Sequence, residues 1–160
     1  MIQYLLSAGL AILLSACSAT GSSGGPPDIV YGRHICLECG MIISEERVAA
    51  AYEWEGEDRV FDDIGDMLIH GKDAGELGAS TPAWVHDYGT AAWIAAATAW
   101  FVSGEGIVTP MGRGIIAFAS RTAAEEFASR AGGELATWDD LLSTHLDGAG
   151  FDHNHEGQAP

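Results

Sequence analysis

Basic residues are scarce in this chain. It has 7 Lys and Arg against 23 Asp and Glu, for a net charge of −16. Lys72 is the only lysine. With no basic stripe to displace counterions from phosphates, the composition argues against a nucleic-acid partner. An acidic surface serves solubility, and it also attracts metal cations or a basic partner. A lysine-poor acidic chain is consistent with a salt-tolerant host. Long apolar runs are missing too: residues 4–14 are almost all apolar and uncharged, a run too short to anchor a span. There are 3 cysteines and no second CxxC pair, so a four-cysteine zinc site is excluded.

The short apolar run reads as the core of an export signal. It ends in Leu14-Ser-Ala-Cys17, which has the form of a bacterial lipobox. In that pattern the signal, residues 1–16, is removed, and Cys17 is acylated as the new first residue. An ordinary cleaved signal with an incidental Cys17 is the simpler alternative. Met1-Ile-Gln-Tyr4 lacks the Lys or Arg expected of a signal peptide, which implies a start further upstream. Residues 17–30 begin with Ser, Ala, Thr, Gly and Pro, a composition that cannot bury a core and reads as a flexible tether. The expected order is lipidated cysteine, tether, then a folded region over 31–146. This places the protein outside the cytoplasm, held to the cell membrane or outer membrane, on the periplasmic side or the cell surface.

The folded part opens with Cys36-Leu-Glu-Cys39-Gly-Met41, three sulfur side chains within six residues. Four chemistries fit that spacing. A redox dithiol needs a helix N-terminus to lower a thiol pKa, and Gly40 followed by Met-Ile-Ile is a poor helix start. A zinc knuckle would use Gly40 at positive φ to aim amides at sulfur, with His34 as a further ligand. A Cys36–Cys39 disulfide would close a tiny loop and stabilise little. A Cu(I) site would use cysteine thiolates and the Met41 thioether, soft donors that suit this ion and, for Met, not zinc.

The remaining pattern predicts mixed elements. Strands are expected over 47–54 and 59–61, separated by a turn at 55–58. Asp62-Asp63 reads as the cap of a helix over 64–70 that Gly71 and Gly75 end. A strand follows over 83–86. In the second half, residues 91–102 are apolar and end in a strand over 99–102. A strand at 115–118, a helix at 121–131 capped by Ser120, a strand at 134–136 and a helix from 138 capped by Thr137 complete the order. The expected fold is α+β, with two small ββαβ units, about 36–88 and 89–146, packed as one compact globular region.

Three further features invite a functional reading. Met111 lies in a loop between Pro110 and Gly112, away from any apolar face, and is a candidate thioether ligand. His86, among Trp, Val and Tyr, reads as a structural histidine. The tail, residues 147–160, carries His153 and His155 among Gly, Asp and Asn; with His145 these could gather a metal ion, but such a tail is expected to be disordered.

Together the motifs resemble the NosL family of copper-binding lipoproteins. The matching segments are Cys36-Leu-Glu-Cys39-Gly-Met41-Ile, Phe61-Asp-Asp-Ile-Gly65-Asp-Met67, Ala83-Trp-Val-His-Asp87-Tyr and Thr109-Pro-Met-Gly-Arg-Gly-Ile-Ile-Ala-Phe118. The resemblance implies two ββαβ units and a non-enzymatic chaperone that delivers Cu(I) to nitrous oxide reductase or its maturation machinery. It carries the copper thiolate to Cys39 and extends the set to Met41 and Met111. The chain departs from the family in three places. Cys36 is an additional cysteine, Ser44-Glu-Glu46 occupies the stretch where the family has a His, and Asp66 stands where many relatives have Cys. Cys36 or Met111 would then replace the histidine ligand. An extracytoplasmic thiol oxidoreductase and a zinc-stabilised interaction protein are the alternatives.

Overall fold

The computed structural model describes residues 24–146. The signal (1–16), the lipidation site Cys17, the first part of the tether and the tail 147–160 with His153 and His155 lie outside the described residues.

Strand β1 (Ala50–Trp54) turns back into β2 (Glu57–Phe61), with Trp54 opposite Glu57. The two residues between them, Glu55 and Gly56, both have positive φ, 52° and 82°, as a tight hairpin with right-handed twist requires. β1 starts later than expected because residues 46–48 form a 3-10 turn that buries Val48. Helix α1 (Ile64–Ala74) is capped by Asp63, whose carboxylate accepts the Gly65 N–H at 2.8 Å. It runs through Gly71 to a left-handed C-cap at Gly75. Gly71 therefore does not end the helix. A Cβ there would lie 2.3 Å from Cβ of Leu77, so the missing side chain lets the chain after the helix pack back against it.

Strand β3 (Ala83–His86) pairs with β1, and β4 (Trp93–Ala95) pairs with β3, giving an antiparallel sheet in the order β2-β1-β3-β4. β4 was not expected. It lies in the alanine-rich stretch after residue 90, and it adds the start of the second half to the first sheet. A 3-10 turn at Ala96–Thr98 leads to β5 (Trp100–Ser103), which pairs with β6 (Ile115–Phe118) and β7 (Glu134–Thr137) in a second antiparallel sheet. Helix α2 (Arg121–Ala131) is capped by Ser120 and ends at Gly132, φ 72°. Thr137 accepts the Asp140 N–H and caps α3 (Trp138–Leu146).

The two sheets meet at Asp87. Tyr88 donates its N–H to the Ala117 carbonyl at 2.8 Å, and Ala119 donates to the Asp87 carboxylate at 2.7 Å. β5 and β6 alternate strictly. Phe101, Ile115 and Ala117 face a main core shared with Tyr52, Phe61, Met67, Leu68 and Trp138. Val102, Ile116 and Phe118 face a smaller cluster with Ala124 of α2. The result is an α+β fold whose two ββαβ units share the main core, with the smaller cluster under α2 beside it.

Candidate metal centre

The CxxC segment is a small knuckle laid on the first sheet. Ile35 and Ile42 bridge its base, Cys36 donates its N–H to the Met41 carbonyl at 2.8 Å, and Gly40 donates to the Cys36 carbonyl at 3.0 Å. Gly40 has φ 72°, as expected for a glycine that turns the chain back after the second cysteine. The Leu37 N–H docks the knuckle on the Val60 carbonyl of β2 at 3.0 Å, and Glu38 pairs with His70 of α1 at 3.0 Å. Amides point at both sulfurs: those of Cys39 and Asp62 at Cys36, and that of Met41 at Cys39.

The knuckle sits over the N-terminus of α1. Sγ of Cys36, Sγ of Cys39 and one carboxylate oxygen each of Asp62 and Asp66 lie within 4.8 Å of one another. Cys39 Sγ is 3.5 and 3.6 Å from the two Asp62 oxygens. Cys36 Sγ is 3.9 Å from Oδ2 of Asp66. Cys36, Asp62 and Asp66 are buried, and Cys39 is half-exposed. Both thiols therefore hold their protons more tightly than free ones. Burial pushes the Cys36 thiol up to about 12, against the lowering effect of the amides of Cys39 and Asp62. Burial also raises Cys39, with the Asp62 charge adding to it. Burial raises Asp66, and the Arg113 guanidinium opposes that rise.

The 109–114 loop closes the far side. Asp63, fully buried, accepts the Thr109 hydroxyl at 2.6 Å and the Met111 N–H at 3.2 Å as well as capping α1. Thr109 Oγ1 in turn accepts the Gly114 N–H at 3.1 Å. Arg113 donates from Nε to Oδ1 of Asp66 at 3.1 Å. Gly65 makes this contact possible: a Cβ there would lie 2.4 Å from Cβ and Cγ of Arg113.

Each expected site residue has a definite place. Cys36 and Cys39 come together. Met41 is exposed and lines an open groove of about 580 Å³ with Ile42, Val48, Asp62, Tyr88 and Pro110. Met111, half-buried, contributes its backbone amide to the described contacts around the cluster. His34 is not part of the cluster; its Nδ1 accepts the Val30 N–H at 3.3 Å. His86 is structural. Its Nδ1–H donates to the Ala91 carbonyl at 2.8 Å, so Nε2 accepts from Tyr31 Oη at 2.7 Å, and Trp93 covers the ring. Asp62 and Asp66 were missed as site residues. Only one of the adjacent pair Asp62-Asp63 can cap α1, which leaves the other free for a second role, and Asp62 turns to the cysteines.

The NosL family model matches residues 29–146. Among solved structures, the chain resembles the crystal structure of the copper chaperone NosL from Shewanella denitrificans, with a TM-score of 0.63 and 25% identity over 71% of this chain and 93% of that one. No curated protein matches the chain.

Proposed function

Because the chain belongs to the NosL family, we propose that it is a membrane-tethered, extracytoplasmic carrier of Cu(I), with Cys36 and Cys39 as the thiolates that hold the ion. The observation that carries this reading is the pairing of the two sulfurs in a preformed knuckle, one buried and one half-exposed. Two thiolates suit a soft monovalent ion. The amides aimed at both sulfurs favour the ionised form once the ion displaces the protons. A half-exposed Cys39 leaves a side from which an acceptor's ligand can attack. Met41, exposed in the groove that Asp62 also lines, and Met111, whose amide binds Asp63, are the candidate thioethers. The acceptor is a copper enzyme, nitrous oxide reductase or its maturation machinery, as the likeness to a NosL copper chaperone supports. The tether begins at Cys17.

The oxidoreductase alternative has less support. Catalytic thiols need a thiolate near neutral pH, whereas burial raises both thiols here, Cys36 to about 12. The test is competition for Cu(I) against a chromophoric chelator under reducing conditions. The parent should take one Cu(I) from the chelator, and Cys39→Ser should lose it while keeping its circular dichroism spectrum. A parent that leaves all copper with the chelator would end the proposal.

A further inference from the structure

The sulfur pair does not account for Asp62. Asp62 is 2% exposed, and among the described residues its carboxylate has no partners besides the two thiols. A thiol is a weak donor, so this buried carboxylate is left under-satisfied in the metal-free protein. Asp66 is fully buried and split in its duties. Arg113 holds Oδ1, which leaves Oδ2 turned to Cys36. That is how an outer guanidinium orients a metal-binding carboxylate.

We infer that Cys36, Cys39, Asp62 and Asp66 form a four-donor site that takes a divalent transition-metal ion of the zinc type. The inference rests on the same cysteine pair as the copper proposal and adds the two carboxylates to it. Geometry supports it. Metal–sulfur and metal–oxygen bonds of about 2.3 and 2.0 Å set tetrahedral edges of about 3.3–3.8 Å. Cys39 and Asp62 are already 3.5 Å apart, Cys36 and Asp66 3.9 Å, and no edge exceeds 4.8 Å. Closing the set needs side-chain shifts of about 1 Å or less. Charge points the same way. Among the described residues Arg113, bound to Asp66, is the cation paired with the two thiolates and two carboxylates, and a divalent ion balances them better than a monovalent one. The sulfurs alone serve Cu(I), which has little use for carboxylates. The oxygens serve the harder ion.

Co(II) provides the test, because its visible spectrum reports coordination number and thiolate ligation. The reduced, metal-free full chain should give the intense bands of tetrahedral Co(II) with sulfur-to-metal charge transfer, and Zn(II) should erase them. Asp62→Asn and Asp66→Asn keep the shape of each side chain. Each should weaken Co(II) by about tenfold or more, and by a larger factor than it changes Cu(I) affinity. A parent that binds no Co(II), or binds it only in the weak six-coordinate form, overturns the inference without any variant. So does unchanged Co(II) binding in both variants. Failure to bind Cu(I) with a normal Co(II) spectrum would instead count against the copper proposal.

Discussion

Gly65→Ala sets two effects of opposite sign against each other. Glycine is a poor helix former, so alanine in the first turn of α1 adds at most about 1 kcal/mol. The new methyl, however, would sit 2.4 Å from Cβ and Cγ of Arg113. These atoms are the root of the side chain, not its flexible end, so the 109–114 loop must move as a unit. Overpacking of this kind costs about 1–3 kcal/mol. Displacing Arg113 also removes its bond to the buried Asp66, which adds about 1 kcal/mol once the 31% exposure of Arg113 is taken into account. The net is a loss of about 1–3 kcal/mol, a fall in Tm of about 5–10 °C near the middle of that range. Urea or thermal unfolding of the reduced, metal-free chain measures it. Arg113→Gly in the same chain should relieve the overpacking but not restore the bond to Asp66, so the double variant should be more stable than the sum of the two single changes. A Gly65→Ala variant as stable as the parent, or more stable, would refute the packing of this loop over α1.

Met41→Leu and Met111→Leu keep volume and remove sulfur; weakened Cu(I) retention in a chelator competition identifies the thioether that serves the ion, and parental retention in both variants confines the site to Cys36 and Cys39. Burial lowers the pKa of His86 against the opposing pull of the Ala91 carbonyl and Glu46. The unfolded chain therefore takes a proton first, so His86 contributes stability that is complete above about pH 6.5 and is lost as pH falls from there toward its folded pKa. His86→Gln should flatten the slope of stability between about pH 7 and pH 5, and an unchanged slope would contradict the assignment. Cys17→Ser should block processing or move the protein to the soluble fraction, whereas normal processing and membrane retention would exclude the anchor.

Sequence pattern reaches far into this fold where local chemistry decides it. The Glu55-Gly56 turn, the Asp63, Ser120 and Thr137 caps and the Gly75 and Gly132 stops each act within a few residues, and each is legible. β4 is not legible, because Trp93-Ile-Ala95 lies in an apolar run with no period and is defined only by its partner β3. Gly71 is read wrongly as a stop for a similar reason: its need for small size comes from Leu77, beyond the helix. The cysteine pair announces itself by spacing. Asp62 and Asp66 do not, since two acids at a helix start look like caps until the knuckle is folded over them.

X-ray absorption at the copper K-edge of the loaded, reduced full chain reads the ligands of the ion directly. If Cys36 and Cys39 hold Cu(I), the edge is typical of Cu(I) and sulfur dominates the coordination sphere, which Cys39→Ser loses. A coordination sphere of nitrogen and oxygen alone, or one unchanged in Cys39→Ser, would contradict that assignment.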